Sequence, residues 1–167
     1  MFETALVVRA AVSADRAFVL ALADRLVSFD VPAFRSKDEL VAGDRRALEQ
    51  WFDAQRHDDS PAEAPSAKAE AMLIAELDGQ PAGCAYLVTL VDYFNQRPHA
   101  HLSVLAVTES AQGHGVGSAL LDRCAEWARD RKSDRLTLSA LVTNARARSL
   151  YERRGFAGEY IRYVLPL

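Results

Sequence analysis

The stretch from Leu102 to Arg129, LSVLAVTESAQGHGVGSALLDRCAEWAR, most constrains what this chain can fold into. It opens with an apolar run rich in β-branched residues, Leu102 to Val107, which predicts a buried strand. A polar turn follows over Thr108 to Ala111. Then come Gln112-Gly113-His114-Gly115-Val116-Gly117-Ser118 and a long amphipathic pattern that predicts a helix. Strand, glycine-rich turn and helix together suit an anion. Glycine lets the backbone come close to a ligand. The first N–H groups of a helix have no partner within it, and the helix dipole adds positive character there.

Several nucleotide motifs share that outline, and the residues separate them. The phosphate loop ending in Gly-Lys-Ser/Thr is excluded, because no lysine stands between Gly117 and Ser118. The dinucleotide pattern G-x-G-x-x-G would need glycine at position 118, which is Ser118. Its acidic residue about 20 positions on is also missing, since the next strand reads Leu136-Thr-Leu-Ser-Ala-Leu-Val142. What is left is Gln112-x-x-Gly115-x-Gly117 after a strand ending in valine, a spacing that a plain helix-entry turn would also satisfy.

A second motif lies downstream. Asn144-Ala-Arg-Ala147-Arg-Ser-Leu150-Tyr151-Glu-Arg-Arg-Gly155-Phe156 has the form N-x-x-A-x-x-L-Y-x-x-x-G-F. Together the two motifs resemble those of the GNAT superfamily of acetyl-CoA-dependent N-acyltransferases, in the same order and separated by one helix and one strand. The resemblance is strongest from Leu102 to Phe156 and weakest over the first two helices. It implies a mixed α/β fold (an α+β mixed sheet) of six to seven strands flanked by about four helices, in one domain over residues 1–167. It implies acetyl-CoA as cosubstrate, with no metal. Backbone amides of Gln112, Gly113, His114, Gly115, Val116, Gly117 and Ser118 would hold the pyrophosphate. The fourth and fifth strands would splay apart, and the backbone of Leu105, Ala106 and Val107 would pair with the pantetheine arm like an added strand. The Val107 N–H would then donate to the thioester oxygen and stabilise the oxyanion. Asn144 would bond the pantetheine arm, besides being a good helix N-cap in its own right. Tyr151, four positions from Ala147 and on the same helical side, would protonate the leaving thiolate; by itself it could also fill core space. His114 and Arg148 are candidates for the 3′-phosphate and equally suit a solvated surface.

The attacking amine must lose a proton, and a lysine-like amine with its reference pKa near ~10.4 needs a base more than an α-amine does. Many members of the family carry a glutamate on the fourth or fifth strand; the equivalents here are Ser103 and Ser139, neither of which is a base unaided. The nearest titratable residues are His99 and His101, two apart on a strand and therefore on one face. His101 is the candidate base or water-positioner, with Glu76 and Tyr86 weaker candidates. A His-x-His pair also has metal-ligand spacing, but no third ligand is evident.

Composition bounds the rest. The 167 residues fit one domain, and a formal charge of −3 gives no bias towards nucleic acid or acidic membranes. No apolar run reaches ~18 residues, and the start MFETALVVRAAV lacks the basic region of a signal peptide. Cys84 and Cys124 sit among apolar neighbours without C-x-x-C spacing, which suits reduced core residues of a cytoplasmic protein.

The remaining segments predict a strand over Glu3 to Val12 and a helix from an N-cap at Ser13 to about Phe29, ended by Asp30-Val31-Pro32. A second helix follows from Lys37 to Gln55. A mobile loop is expected over His57 to Lys68, then strands Ala71 to Leu77 and Gly83 to Val91 joined by an Asp78-Gly79 hairpin. A polar loop spans Asp92 to Ala100, a fifth strand Arg135 to Val142, and a last strand Gly158 to Leu165. Phe29, Phe34, Arg35, Tyr93 and Phe94 are candidate linings of an acceptor pocket. The acceptor would be a small-molecule or peptide amine. A homodimer is an expectation of the family. The alternative function is an acyl-CoA-binding sensor without turnover, or acetylation of a protein N-terminus or lysine.

Overall fold

The computed structural model describes residues 5–56 and 69–167. The expected loop over His57 to Lys68 lies outside the described residues. Strands β1 (Leu6–Ala10), β2 (Glu70–Leu77), β3 (Gln80–Val91), β4 (Pro98–Val107) and β5 (Leu136–Leu138) form one five-stranded sheet in sequence order. The first three pairings are antiparallel and β4–β5 is parallel. The hairpin between β2 and β3 turns on Asp78 and Gly79, with φ of 51° and 75°. Two successive left-handed residues are what a tight two-residue hairpin requires, so Asp-Gly fixes the register here.

Helices cover both faces. α1 (Arg16–Ala23) and α2 (Lys37–Arg56) pack Val19, Leu22, Leu48, Trp51 and Phe52 against Met72, Ile74, Cys84, Tyr86 and Val104. α3 (Val116–Asp130) packs Leu120, Leu121, Cys124 and Trp127 against Leu73, Ala75, Ala85, Leu87, Ala100 and Leu102. α4 (Ala145–Arg153) lies on that same face through Leu150 and Tyr151. Each fully buried Leu, Ile or Met contributes roughly 1.5–3 kcal/mol relative to exposure, which commits both faces of the sheet.

Two irregularities of β4 shape the site. Tyr86 faces Val104, yet the next residue, Leu87, faces Leu102, so Ser103 is an unopposed extra residue, a β-bulge. Side chains therefore switch faces at Ser103. Ala100, Leu102, Leu105 and Val107 point to the α3 side, and Val104 and Ala106 to the α1–α2 side. His101 pairs with Val88, which packs on the α1–α2 side, so His99 and His101 share that face. The second irregularity is the ladder to β5, which covers only Ala100–Leu136, His101–Thr137 and Leu102–Leu138.

Several boundaries differ from expectation. The sheet has five strands among the described residues, rather than six or seven. Residues 157–167 form no strand, and Tyr160, Ile161, Tyr163 and Leu165 are exposed. A strand needs a neighbouring edge, and three-residue β5 offers a short one. The fifth strand stops at Leu138 rather than Val142, whereas β4 starts four residues earlier than expected, at Pro98. α1 closes at Ala23, well before Phe29, through the tight bonds Arg25 N–H to Leu22 O and Leu26 N–H to Ala23 O. Ser13 makes no cap. The carboxylate of Asp15 instead accepts from Val12 N–H at 2.8 Å and from Arg9 at 2.7 Å. This pairing with Arg9 holds the buried Asp15 carboxyl below its ordinary pKa.

Candidate active site

The site is built around the free side of β4. Thr108 N–H donates to Ala82 O at 2.8 Å, closing the β3–β4 ladder at that pair. Antiparallel bonding alternates, so the N–H groups of Leu105 and Val107 turn away from β3, while Ala106 turns towards it. β5 has left the sheet by then, and the outward backbone of Leu105 and Val107 has no strand partner among the described residues. Of the three residues expected to pair like an added strand, Leu105 and Val107 present their amides to this gap and Ala106 does not.

The glycine-rich turn stands beside the same gap. Gly113 and Gly115 hold φ of 83° and 81°, a conformation that only glycine adopts readily. Gln112 N–H and His114 N–H are used within the turn, bonded to Glu109 O and Ala111 O. The first intrahelical bond of α3 is Ala119 N–H to Gly115 O, which leaves the amides of Val116, Gly117 and Ser118 without a helical partner. Gly117 marks a convergence: a Cβ there would lie 3.4 Å from Leu150 and 3.9 Å from Val107. The end of β4, the first turn of α3 and the body of α4 thus meet at one point. Arg146 reaches across from α4 and donates to Gln112 Oε1 at 2.6 Å. Sequence reasoning passed over Arg146 for His114 and Arg148. The His114 ring is within 3.1 Å of Gln112 O, and Arg148 donates to Val142 O.

α4 is fixed by its ends. Asn144 Oδ1 accepts from Ala147 N–H at 3.1 Å, an N-cap that leaves both hydrogens of the side-chain amide nitrogen for another partner. Gly155, at φ 86°, lets the chain turn so that Phe156 packs edge-on to Tyr151, with ring centroids 5.8 Å apart. Burial raises the pKa of the Tyr151 hydroxyl, so this group is a neutral proton donor at pH 7.

The histidine pair lies on the other face. Thr137 Oγ1 is 2.8 Å from His101 Nδ1 and 3.1 Å from His99 Nε2. His99 is buried, and its Nδ1 has no partner. His101 is half-buried; burial and then the nearby His99 lower its pKa. Thr137 was not singled out in the sequence, because its role depends on the β4–β5 register. Ser103 and Ser139 are exposed. Glu76 is tied to Arg9 at 2.7 Å, and Tyr86 donates to Glu70 at 2.8 Å, which with burial raises the Tyr86 pKa. Unlike Glu76 and Tyr86, His101 has neither an ion pair nor a carboxylate hydrogen bond among the described residues.

A family model described as "Acetyltransferase (GNAT) family" matches residues 37–156. This chain belongs to the GNAT acetyltransferase family. It is similar to a mycothiol acetyltransferase of Beutenbergia cavernae, 51% identical over 65 residues, which are 38% of this chain and 22% of that protein. The chain thus matches about a fifth of that relative's length. Its fold is similar to that of a ribosomal-protein-alanine N-acetyltransferase from Brucella melitensis biovar Abortus 2308, with TM-score 0.67, 20% identity, and 98% and 100% of the two chains covered. It is also similar to an aminoglycoside N-acetyltransferase solved in complex with CoA, with TM-score 0.67, 18% identity, and 98% and 96% covered.

The residues of this GNAT chain suit acetyl-CoA on chemical grounds. Unpartnered amides at the start of α3 and the left-handed turn before it fit a pyrophosphate, and the free edge of β4 fits a chain of amides. The expected acceptor-pocket residues have these surroundings. Tyr93 and Phe94 are exposed and pack on each other, Arg35 is paired with Glu39, and Phe34 is exposed. An open groove instead runs between α1 and the start of the glycine turn, lined by Phe18, Leu22, Arg25, Thr108, Glu109 and Ser110. No group of three or more His, Cys, Asp or Glu residues suited to a metal occurs among the described residues, and no described helix is long and apolar enough to cross a membrane.

Proposed function

We propose that this chain is an acetyl-CoA-dependent N-acetyltransferase that transfers acetyl to a primary amine of a small molecule or peptide by direct attack in a ternary complex. The observation that carries the reading is the free backbone edge of Leu105 and Val107 beside the unpartnered amides of Val116, Gly117 and Ser118. Acetyl-CoA supplies the activated acyl group when bound. The amides of the turn and of the first turn of α3 hold its pyrophosphate, helped by Arg146, and the nitrogen of the Asn144 amide bonds the pantetheine arm. The Val107 N–H donates to the thioester oxygen and stabilises negative charge there as the tetrahedral centre forms. The Tyr151 hydroxyl, kept neutral by burial, donates its proton to the departing sulfur. His101 takes the proton of the acceptor ammonium from the opposite face, and its lowered pKa keeps it unprotonated at neutral pH.

The described strands form one sheet, which supports a single domain over residues 1–167, and two buried thiols suit a cytoplasmic setting. The test is release of CoA thiol from acetyl-CoA against a panel of amines. The names of the similar proteins suggest including an aminoglycoside, a peptide with N-terminal alanine, and the deacetylated form of mycothiol. Turnover above hydrolysis with at least one amine, lost in Tyr151→Phe, is the expected result. Tight acetyl-CoA binding with no turnover on any amine would select a sensor module instead.

A further inference from the structure

The contacts around Thr137 assign a tautomer to the base. Its hydroxyl lies 3.4 Å from Ala100 O, 2.8 Å from His101 Nδ1 and 3.1 Å from His99 Nε2. A hydroxyl has one hydrogen to give and two lone pairs to receive. The carbonyl of Ala100 can only accept. One assignment satisfies all three contacts at once: Thr137 donates to Ala100 O and accepts from both imidazoles. His101 then carries its hydrogen on Nδ1 and leaves Nε2 bare. His99 carries its hydrogen on Nε2 and leaves Nδ1 as the buried atom without a partner. That too is the cheaper outcome, because a buried orphan acceptor is tolerated better than a buried orphan N–H.

We propose that Thr137 is a positioning residue that locks His101 in the Nδ1–H tautomer, so that Nε2 is the atom that takes the acceptor's proton. In the step, an N–H bond of the ammonium breaks, a bond from that proton to Nε2 forms, and the amine keeps the electron pair with which it attacks. The imidazolium returns its proton to solvent between turnovers. His99 has a separate part. It occupies the second lone pair of Thr137, and its nearness disfavours a charged His101. Other charged or titratable groups at this end of the sheet are Asp92 and Arg97 in the β3–β4 loop, Asp134 and Arg135 before β5, and the Tyr86–Glu70 pair on β3 and β2. Asp92 and Asp134 interact with His99 and are themselves paired with Arg135.

The proposal rests on the acetyltransferase reading for its purpose, but its test reads the tautomer without an acceptor. Long-range proton–nitrogen NMR of histidine-labelled protein at pH 7.5 distinguishes a pyrrole-type from a pyridine-type nitrogen at each position. His101 is expected to show Nδ1 protonated and Nε2 bare. In Thr137→Val, which keeps the β-branched shape, His101 should move towards the Nε2–H form that a free imidazole prefers, and Thr137→Ser should restore the original form. With any amine that supports turnover, Thr137→Val should lower kcat about tenfold or more with little change in KM, within the ~100-fold to 10,000-fold span of base catalysis. Thr137→Ser should recover most of the loss. A His101 already protonated on Nε2 in the parent protein, or a Thr137→Val variant with unchanged tautomer and unchanged kcat, would overturn the proposal. Absence of turnover with a correct tautomer would overturn the acetyltransferase reading and leave the lock standing.

Discussion

Tyr151 and His101 lie on opposite faces of the sheet, and the role proposed for each should leave its own kinetic mark. Tyr151→Phe removes one oxygen from a ring held by Phe156, so acetyl-CoA affinity by calorimetry should be unchanged while kcat falls about a hundredfold or more. For His101 the sign follows from the lowered pKa. As the proposed base it is active unprotonated, so kcat/KM should be flat above neutral pH and fall only below the ordinary histidine value near ~6.5. A fall beginning above pH 7 in a pH–rate profile would contradict this. The two cysteines offer a control. Burial pushes both thiols up to about 12, so neither should react with a disulfide reagent in the folded protein, and thiol colour in the assay should report CoA alone. Residues whose work follows from local spacing were legible in the sequence: Asn144 as a helix cap and Asp78-Gly79 as a hairpin turn. Thr137 was not, because its partners come from β4, and no local pattern reveals the pairing of two parallel strands.

At the level of elements, β3 packs tightly against β4 and α3 at Gly83. A Cβ at Gly83 would lie 2.8 Å from Ala106 O and 3.0 Å from Val116. The first contact is backbone and cannot swing aside, so Gly83→Ala should cost about 1–3 kcal/mol in urea unfolding and also disturb the edge that Ala106 anchors. Long periodic elements matched expectation. α2 runs Lys37–Arg56 where Lys37 to Gln55 was expected, since its apolar positions recur at helical spacing. Short or unpartnered strands did not match. Gly158 to Leu165 has the composition of a strand, but β-structure depends on a neighbour's backbone, and β5 ends after three residues. Conversely, β4 begins at Pro98 because β3 runs far enough, to Val91, to pair with it.

Across the whole molecule, the ion-paired group Arg9, Asp15 and Glu76 ties β1 and β2 to the start of α1. The depressed pKa of buried Asp15 contributes stability that is fully present above the unfolded carboxyl value near ~3.9 and is lost as the pH falls through the lower folded value. Asp15→Asn should flatten this acid limb in thermal melts recorded from pH 7 to pH 3. An unchanged limb would mean that other carboxylates govern it. The bulge at Ser103 has the widest consequence. One residue of slack makes β4 a crankshaft: its first half turns imidazoles to the α1–α2 face, and its second half offers bare peptide at the edge that β5 leaves uncovered. On the proposed mechanism, a change of residue at 99 or 101 would alter deprotonation of the amine without disturbing the main-chain track from 105 to 107. Straightening the crank by deleting Ser103 would restore regular alternation and leave both halves on their present faces, because Leu102 already opposes Leu87 and Val104 already opposes Tyr86, so the slack is one residue that β4 can lose without slipping its register.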